Sequence, residues 1–252
     1  NFEFGTNPCS EIILRPNQFC NLTEVVVRST DTVKDLERKV TLATILGTIQ
    51  STYTKFPYLR KVWTTNTEEE RLLGVSLTGI MDNPLMTTAN PELEKTLEKL
   101  RKLSVTTNAK WADNLGIPAS TAITCVKPSG TVSQLVDSAS GIHARHSDYY
   151  IRTVRGDNKD PLTQFMKDQG VPSEPDIYKP EQTTVFSFPM KAPDGAVVTA
   201  NMSATEQLEM WLAYQRHWCE HKPSVTINVK KSEWFEVGAF VYNHFDEMSG
   251  VS

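Results

Sequence analysis

Short apolar runs alternate with long segments of helical periodicity along this chain, and this alternation limits its fold more than any other feature of the sequence. Strands are predicted at residues 11–14, 25–27, 74–80, 120–126, 183–188 and 224–229. Helices are predicted over residues 32–56, 91–115, 161–169 and 203–221. Because strands and helices alternate, we predict an α/β fold. Residues 156–200, which are rich in proline, are expected to consist largely of loops.

The predicted helices carry recognisable start signals. Thr32 with Asp35, and Ser203 with Glu206, fit the capping box, in which a hydroxyl and an acidic side chain bond to free backbone N–H groups. Pro91 suits the first turn of the second long helix, where a backbone N–H would have no partner. These signals define where three of the predicted helices begin.

Composition excludes several classes of protein. The chain has 252 residues and a formal net charge of −4, which argues against a basic nucleic-acid-binding protein. No apolar run reaches the length of about 18 residues that a membrane span needs. Four cysteines are too few for a secreted disulfide scaffold. We therefore expect a globular, cytoplasmic chain without a membrane or nucleic-acid partner, whose cysteines are available for chemistry.

The first candidate site combines thiols, a carboxylate and an amide. Asn7, Cys9 and Glu11 are two residues apart, so in an extended backbone their side chains would point to the same side. Cys20 follows eleven residues after Cys9, across a turn that can bring it back towards the first thiol. A reactive sulfur beside a proton-transfer carboxylate is a plausible reaction centre. The alternative is that both cysteines are ordinary small buried residues.

The second candidate site is the sequence Lys-Pro-Ser-Gly-Thr-Val-Ser at residues 127–133. A strand is predicted before it, and the residues after it are compatible with a helix. Glycine, hydroxyls and free backbone N–H groups at such a turn suit an anion such as phosphate. A plain connection between a strand and a helix is the competing interpretation.

Two further clusters contain histidine. His217, Glu220 and His221 fit the H-x-x-E-H pattern of a zinc hydrolase, in which the histidines hold the metal and the glutamate acts as base. The competing interpretation is a solvated helix end. Residues 141–155 interleave arginines, histidines and tyrosines, which suits either an anionic ligand or a strand with a solvated basic edge.

Taken together, several separate motifs resemble the ribonucleotide reductases. Asn-Pro-Cys-Ser-Glu-Ile-Ile-Leu at residues 7–14 and Gln-Phe-Cys-Asn-Leu at residues 18–22 are similar to the active-site stretch of that family. Similar motifs follow in the family's order at residues 74–80, 127–133 and 140–143. The short spacing between the two cysteines resembles the adenosylcobalamin-dependent branch, and the sequences around residues 141–155 and 217–226 look most like its ribonucleoside-triphosphate reductases.

The resemblance implies a role for each matching residue. Cys9 matches the cysteine that becomes a thiyl radical and abstracts the ribose 3′-hydrogen, and Glu11 matches the carboxylate that acts on the 3′-hydroxyl. Asn7 matches the amide that bonds to the sugar hydroxyls, and Cys20 matches one half of the redox pair that supplies two electrons. The turn that holds the substrate phosphates matches Pro128, Ser129, Gly130 and Thr131.

The resemblance also implies a fold and partners. The family has a ten-stranded α/β barrel with the radical cysteine on a central finger loop, so we expect Cys9 to be shielded from water inside the fold. Residues 1–252 would be the C-terminal portion of that barrel, incomplete at both ends, and a missing upstream half would carry the thiol that pairs with Cys20. The implied partners are adenosylcobalamin, a ribonucleoside triphosphate and a thioredoxin-like reductant, and the implied product is deoxyribonucleotide for DNA synthesis. The alternative is a non-catalytic barrel half that completes a partner chain.

Overall fold

A computed structural model describes residues 3–252, and the chain divides into two units. Asn1–Arg145 and Asp194–Ser252 form the first unit, and His146–Pro193 form the second. No helix among the described residues is both long enough and apolar enough to cross a membrane.

Strands and helices alternate along most of the chain, which confirms the predicted α/β class. The strands are β1 (Gly5–Thr6), β2 (Ile13–Leu14), β3 (Asn21–Val26), β4 (Leu73–Thr78), β5 (Thr124–Cys125), β6 (Tyr149–Asp157), β7 (Ser173–Pro175) and β8 (Thr183–Lys191). The helices are α1 (Val33–Gln50), α2 (Lys61–Glu70), α3 (Pro91–Leu115), α4 (Val132–Leu135), α5 (Pro161–Asp168), α6 (Ala204–His217) and α7 (Trp234–His244).

The first unit is built on a parallel sheet in the order β3-β4-β5. Every residue of the central strand, β4, is buried. Helix α1 packs on β3, β4 and α3, with Gly47 of α1 lying against Thr23 and Leu73. Because side chains alternate across a strand, the odd-numbered residues of β3 and β4 face this helical layer, and the even-numbered ones face the opposite side. That opposite face of the sheet carries the candidate site.

The start of each long helix agrees with its sequence signal. Thr32 and Ser203 both form the predicted capping boxes, and α3 begins at Pro91 and ends at Leu115, as predicted. Helix α1 ends at Gln50, several residues earlier than predicted. The hydroxyl of Ser51 there donates to the carbonyl of Thr48 at 2.7 Å, a local bond that competes with continuation of the helix.

The chain after α6 differs from the prediction because it bonds to β5. The predicted helix over 203–221 ends at His217, and the indole N–H of Trp218 donates to the carbonyl of Cys125 at 2.8 Å. The predicted strand at 224–229 is wrong: these residues form no strand, and a single bridge just before them joins Pro223 to Val126. Tertiary hydrogen bonds therefore replace the local pattern in this segment.

The second unit is an antiparallel sheet in the order β6-β8-β7. Strands β6 and β8 pair over nine residues, from Tyr149 opposite Lys191 to Asp157 opposite Thr183. The predicted helix near 161–169 and the strand from 183 are confirmed. The segments between these elements in residues 156–200 are loops or turns, but two of its prolines, Pro175 and Pro189, lie within strands.

A buried ion pair fixes the loop after α4 in the first unit. The guanidinium of Arg145 donates to both carboxylate oxygens of Asp82, at 2.8 and 2.9 Å, and Asp82 also accepts the backbone N–H of Ala139. Because the Arg145 guanidinium is bonded to Asp82, it is not available to bind the anionic ligand predicted as one alternative for residues 141–155. Arg155 likewise pairs with Asp176.

We expect Asp82→Ala to lower the free energy of unfolding by about 3–5 kcal/mol, because it leaves a buried guanidinium without its main partner. Urea denaturation of the 252-residue chain measures this loss. The matched control is Glu247→Ala, which breaks the exposed pair with Arg216 and is expected to cost about 1 kcal/mol or less. Equal losses in the two variants would contradict the importance given to the buried pair.

Candidate active site

A tight turn between β1 and β2 carries the first three predicted site residues. The N–H of Ser10 donates to the carbonyl of Asn7 at 2.9 Å, and Ser10 has a left-handed backbone with φ of 62°. The N–H of Ile12 donates to the side-chain oxygen of Asn7 at 3.1 Å. The segment is therefore a turn, and the extended backbone assumed from the sequence is wrong. The turn nevertheless brings Asn7 and Glu11 together.

Glu11 is the buried centre of the site. Its side chain has no exposed surface, and its Oε1 accepts hydrogen bonds from the Asn7 amide at 2.8 Å and from the Lys127 ammonium at 2.7 Å. A buried carboxylate requires such partners, because an unpaired charge in the interior is strongly unfavourable. Burial alone would lower the pKa of Lys127, but its hydrogen bond to Glu11 and the charge of that carboxylate raise the pKa above its usual range.

The second thiol lies on the face of the sheet opposite the helices. Cys20 immediately precedes β3, and a side chain added at Gly74 would place its Cβ 3.3 Å from the Cys20 sulfur. Burial raises the pKa of Cys20 above its usual range, Glu11 adds to the rise and Lys127 opposes it. The thiol is therefore protonated at neutral pH. The same Cβ would lie 2.4 Å from a methyl carbon of Leu22, so the missing side chain at Gly74 leaves room mainly for Leu22 and also for this thiol.

Glu24 is a site residue that the sequence interpretation missed. In the sheet register Glu24 is opposite Ser76, and Ser76 is opposite Cys125, so these residues share the face that carries Cys20. Burial raises the pKa of Glu24, and the neighbouring hydroxyl of Ser129 opposes the rise. Side chains alternate along a strand, so residues 20, 22 and 24 face the same side, and this spacing from Cys20 is the sequence signal that identifies Glu24. Lys127, the first residue of the motif at 127–133, is a second site residue that the motif alone does not identify.

Cys9 lies at the tip of the turn and is exposed, so residues 3–252 do not by themselves provide the shielding expected for this thiol. It lines a cleft of about 390 Å³ together with Pro128, Lys222 and Val225. The cleft therefore brings the thiol turn and the start of the predicted phosphate turn to one place. All four cysteines lie in the described part of the chain and are free thiols.

The turn at 127–131 contains one residue with a left-handed backbone. Ser129, and not Gly130, has the left-handed backbone, with φ of 56°. Gly130 and Thr131 are exposed, whereas Ser129 is buried. A Cβ added at Gly130 would meet nothing within 4 Å. The glycine is therefore not required by the packing of the described chain, and its open side is accessible to a ligand.

The zinc interpretation of His217, Glu220 and His221 is wrong. Helix α6 ends at His217, so the three side chains do not share a helical face. A ring nitrogen of His217 lies 2.8 Å from a carboxylate oxygen of Glu98, Glu220 accepts the N–H of Ile123, and His221 bonds to the carbonyl of Leu73. Within residues 3–252, no group of three or more histidine, cysteine or acidic side chains is arranged to hold a metal ion.

Comparisons with curated proteins match the chain to reductases of one kind. No family model matches the chain. It is 30% identical over 273 residues to the adenosylcobalamin-dependent ribonucleoside-triphosphate reductase of Lactobacillus gasseri, covering 95% of this chain and 36% of that protein. The reductase of the same name from Euglena gracilis is 29% identical over 226 residues, covering 88% of this chain and 30% of that protein.

Solved structures give the same result. A crystal structure of a B12-dependent, class II ribonucleotide reductase matches with a TM-score of 0.84 and 28% identity, over 100% of this chain and 38% of that one. The class Id ribonucleotide reductase alpha subunit of Actinobacillus ureae matches at a TM-score of 0.57 and 12% identity, over 98% of this chain and 52% of that one, which shows a shared fold alone.

The site that these comparisons cover is a parallel α/β sheet beside a turn that carries a thiol, an amide and a buried carboxylate. The chain belongs to the ribonucleotide reductase family, in the branch whose curated members are named adenosylcobalamin-dependent ribonucleoside-triphosphate reductases. The family predicted from the motifs is thus confirmed. The chain spans about a third of the length of the relatives it matches.

Proposed function

We propose that this chain carries the reacting thiol and carboxylate of a reductase that converts ribonucleoside triphosphates to 2′-deoxyribonucleoside triphosphates by thiyl-radical chemistry. The observation that carries the proposal is the arrangement around Glu11, which is buried, bonded to Asn7 and Lys127, and only two residues from Cys9. The names of the similar reductases supply the reaction and the triphosphate substrate.

The proposed roles follow the chemistry of the side chains. The Cys9 sulfur, as a radical, takes the 3′-hydrogen atom of the ribose, and Glu11 takes the proton of the 3′-hydroxyl. The 2′-hydroxyl then leaves as water. Cys20 and a second thiol supply two electrons and become a disulfide, and Cys9 returns the hydrogen atom to the 3′-carbon. In sum, one ribonucleotide and one dithiol give one deoxyribonucleotide, one disulfide and one water.

The cofactor proposed from the names of the relatives is adenosylcobalamin, which when bound supplies the radical that oxidises the Cys9 thiol. The exposed position of Cys9 fits this role, because its sulfur can be reached from outside the described chain. Cys9 is the residue of this chain that would face the cofactor. A thioredoxin-like dithiol would then reduce the Cys20 disulfide after each turnover.

We further propose that the described sheet is part of a ten-stranded barrel, with the Cys9 turn as its finger loop. An apolar groove of about 560 Å³ lies between α1 and β3, lined by Leu42, Leu46 and Tyr53. Leu46 and Tyr53 are largely exposed there. Within the described residues, β3 is bonded to another strand on one edge only. An upstream half of the reductase would pair with this edge, cover the groove and shield Cys9.

The proposal is tested with the full reductase, meaning the longer chain of which these residues would form part. Incubation with a ribonucleoside triphosphate, adenosylcobalamin and a dithiol is expected to give the 2′-deoxy product. Glu11→Gln, which keeps the size of the side chain and removes its charge, is expected to lower the rate by about 100-fold or more. Product formation at the same rate with Glu11→Gln would contradict the role of this carboxylate.

The phosphate turn gives a separate prediction. Gly130→Val is expected to raise the Kd of the triphosphate by at least about tenfold, because its methyl groups occupy the open side of the turn. The free energy of unfolding is expected to change by about 0.5 kcal/mol or less. Nucleotide binding and urea denaturation of the full reductase measure the two effects. The control is Gly238→Val in α7, which also points into open space and is expected to leave Kd unchanged.

A further inference from the structure

Lys127 connects the carboxylate site to the sheet. It lies two residues after the end of β5, and its backbone N–H donates to the Ser76 hydroxyl on the neighbouring strand at 2.9 Å. Its side chain is mostly buried, and its ammonium lies 2.7 Å from Oε1 of Glu11, a residue 116 positions earlier in the chain. The backbone of Lys127 is therefore fixed by the sheet, and its side chain reaches the turn that carries Cys9.

The hydrogen bonds to Glu11 are unequally divided between its two oxygens. Both donors, the Asn7 amide and the Lys127 ammonium, bond to Oε1. Oε2 is buried and has no hydrogen-bond partner within residues 3–252. A buried polar atom without a partner is unfavourable, and such an atom in a native site needs a reason. A hydroxyl of a bound ligand would provide the missing donor.

We propose that Lys127 is a positioning residue for Glu11: it holds Oε1, together with Asn7, and so leaves Oε2 directed at a hydroxyl of the substrate. The inference rests on the proposed function, and it adds how the carboxylate is oriented. Lys127 itself does not contact the substrate, since its ammonium is committed to Glu11. Its positive charge also compensates the buried carboxylate of Glu11.

Two other roles are open to a lysine at this place. Its position at the start of the phosphate turn suits binding of the triphosphate, in which case its loss would mainly weaken substrate affinity. A purely structural ion pair would affect stability and leave the reaction rate of the folded enzyme unchanged. The three roles therefore differ in how kcat, Kd and stability respond.

The test uses the full reductase with Lys127→Met, and measures kcat, the Kd of the ribonucleoside triphosphate by equilibrium binding, and the urea midpoint. A positioning role predicts that kcat falls by about 100-fold or more while Kd changes by less than about threefold. A tenfold or greater rise in Kd would overturn the proposal in favour of phosphate binding. An unchanged kcat in the folded variant would overturn it in favour of a structural pair.

Further variants cover the case in which Lys127→Met does not fold. Lys127→Arg keeps the charge but alters the geometry, so a positioning role predicts a reduced kcat with unchanged Kd, and full activity would contradict it. Lys127→Met combined with Glu11→Gln removes both charges, and it should be no slower than Glu11→Gln alone, because the two residues act as a unit. Additive losses would contradict the proposal.

The matched control is Lys39→Met. Lys39 is similarly buried and pairs with the carboxylate of Asp31, away from the site. It is expected to leave kcat and Kd unchanged while affecting stability. The Glu11→Gln variant distinguishes failure of the proposed function from failure of the role of Lys127. If Glu11→Gln is fully active, the proposed function fails. If Glu11→Gln is inactive but Lys127→Met is fully active, only the role of Lys127 is overturned.

Discussion

In the full reductase, Cys9→Ser is expected to lower deoxyribonucleotide formation by at least about four orders of magnitude, a loss of the size found when the residue that makes the reacting bond is removed. Serine preserves size and polarity, but its O–H bond is too strong for the hydrogen-atom transfer that the thiol performs. The measurement is steady-state formation of deoxyribonucleotide from a ribonucleoside triphosphate.

Stability and binding provide the control for this variant. Cys9 is exposed in the 252-residue chain, so in that chain the substitution is expected to change the free energy of unfolding by about 0.5 kcal/mol or less. The Kd of the triphosphate should also be unchanged, because Glu11 and the turn at 127–131 are intact. Substantial residual activity of Cys9→Ser would contradict the assignment of the radical to this sulfur.

The environments of the two thiols predict an order of reactivity in the 252-residue chain itself. Cys9 is exposed, whereas Cys20 is half-buried and burial raises its pKa. An alkylating reagent attacks the thiolate, so at neutral pH Cys9 should be labelled well before Cys20. Peptide mapping after brief treatment with iodoacetamide measures the order. Faster labelling of Cys20 would show that the described burial of this thiol is wrong.

Local signals in the sequence define part of this fold, and contacts between distant residues define the rest. Thr32 and Ser203 make bonds to residues three positions away, so their helix starts follow from the sequence. The end of α6 depends on bonds from residues 218–221 to β5, about a hundred residues earlier in the chain. Local periodicity carries no information about these distant bonds, so the sequence pattern predicts a helix that is too long.

The same division applies to the candidate site. The sequence identifies Asn7, Cys9 and Glu11 as neighbours, but it does not show that a left-handed Ser10 makes their segment a turn. It gives the motif at 127–133 as a separate anion site, whereas the structure places the ammonium of Lys127 on Glu11. The pairing joins residues 116 positions apart, which only the folded sheet brings together.

The two missed helices have a simpler physical reason. Helix α2 contains three threonines and ends in three glutamates, so its intrinsic helical propensity is modest and its apolar pattern is short. Helix α7 contains a glycine, and its sequence Trp-Phe-Glu-Val-Gly-Ala-Phe-Val-Tyr-Asn-His places apolar residues on all sides, so no single apolar face indicates a helix.

The role of Cys20 predicts a different failure from that of Cys9. In the full reductase, Cys20→Ser is expected to retain abstraction of the 3′-hydrogen, because Cys9, Asn7 and Glu11 remain in place. Sustained deoxyribonucleotide formation should fall by at least about 100-fold, since no disulfide can form to supply the two electrons. A substrate labelled with tritium at the 3′-position reports abstraction as release of the label, and product analysis reports reduction.

The structure supports this separation of the two steps. Cys20 lies beside Gly74, and the charges of Glu11 and Lys127 both affect its pKa. The raised pKa keeps its sulfur protonated. It can therefore donate hydrogen and electrons without taking part in the first abstraction. Cys219→Ser is the matched control, because Cys219 is also a buried free thiol, and neither Glu11 nor Lys127 contributes to its raised pKa. That variant should keep sustained product formation, whereas an equal loss of label release and of product in Cys20→Ser would contradict the assigned role.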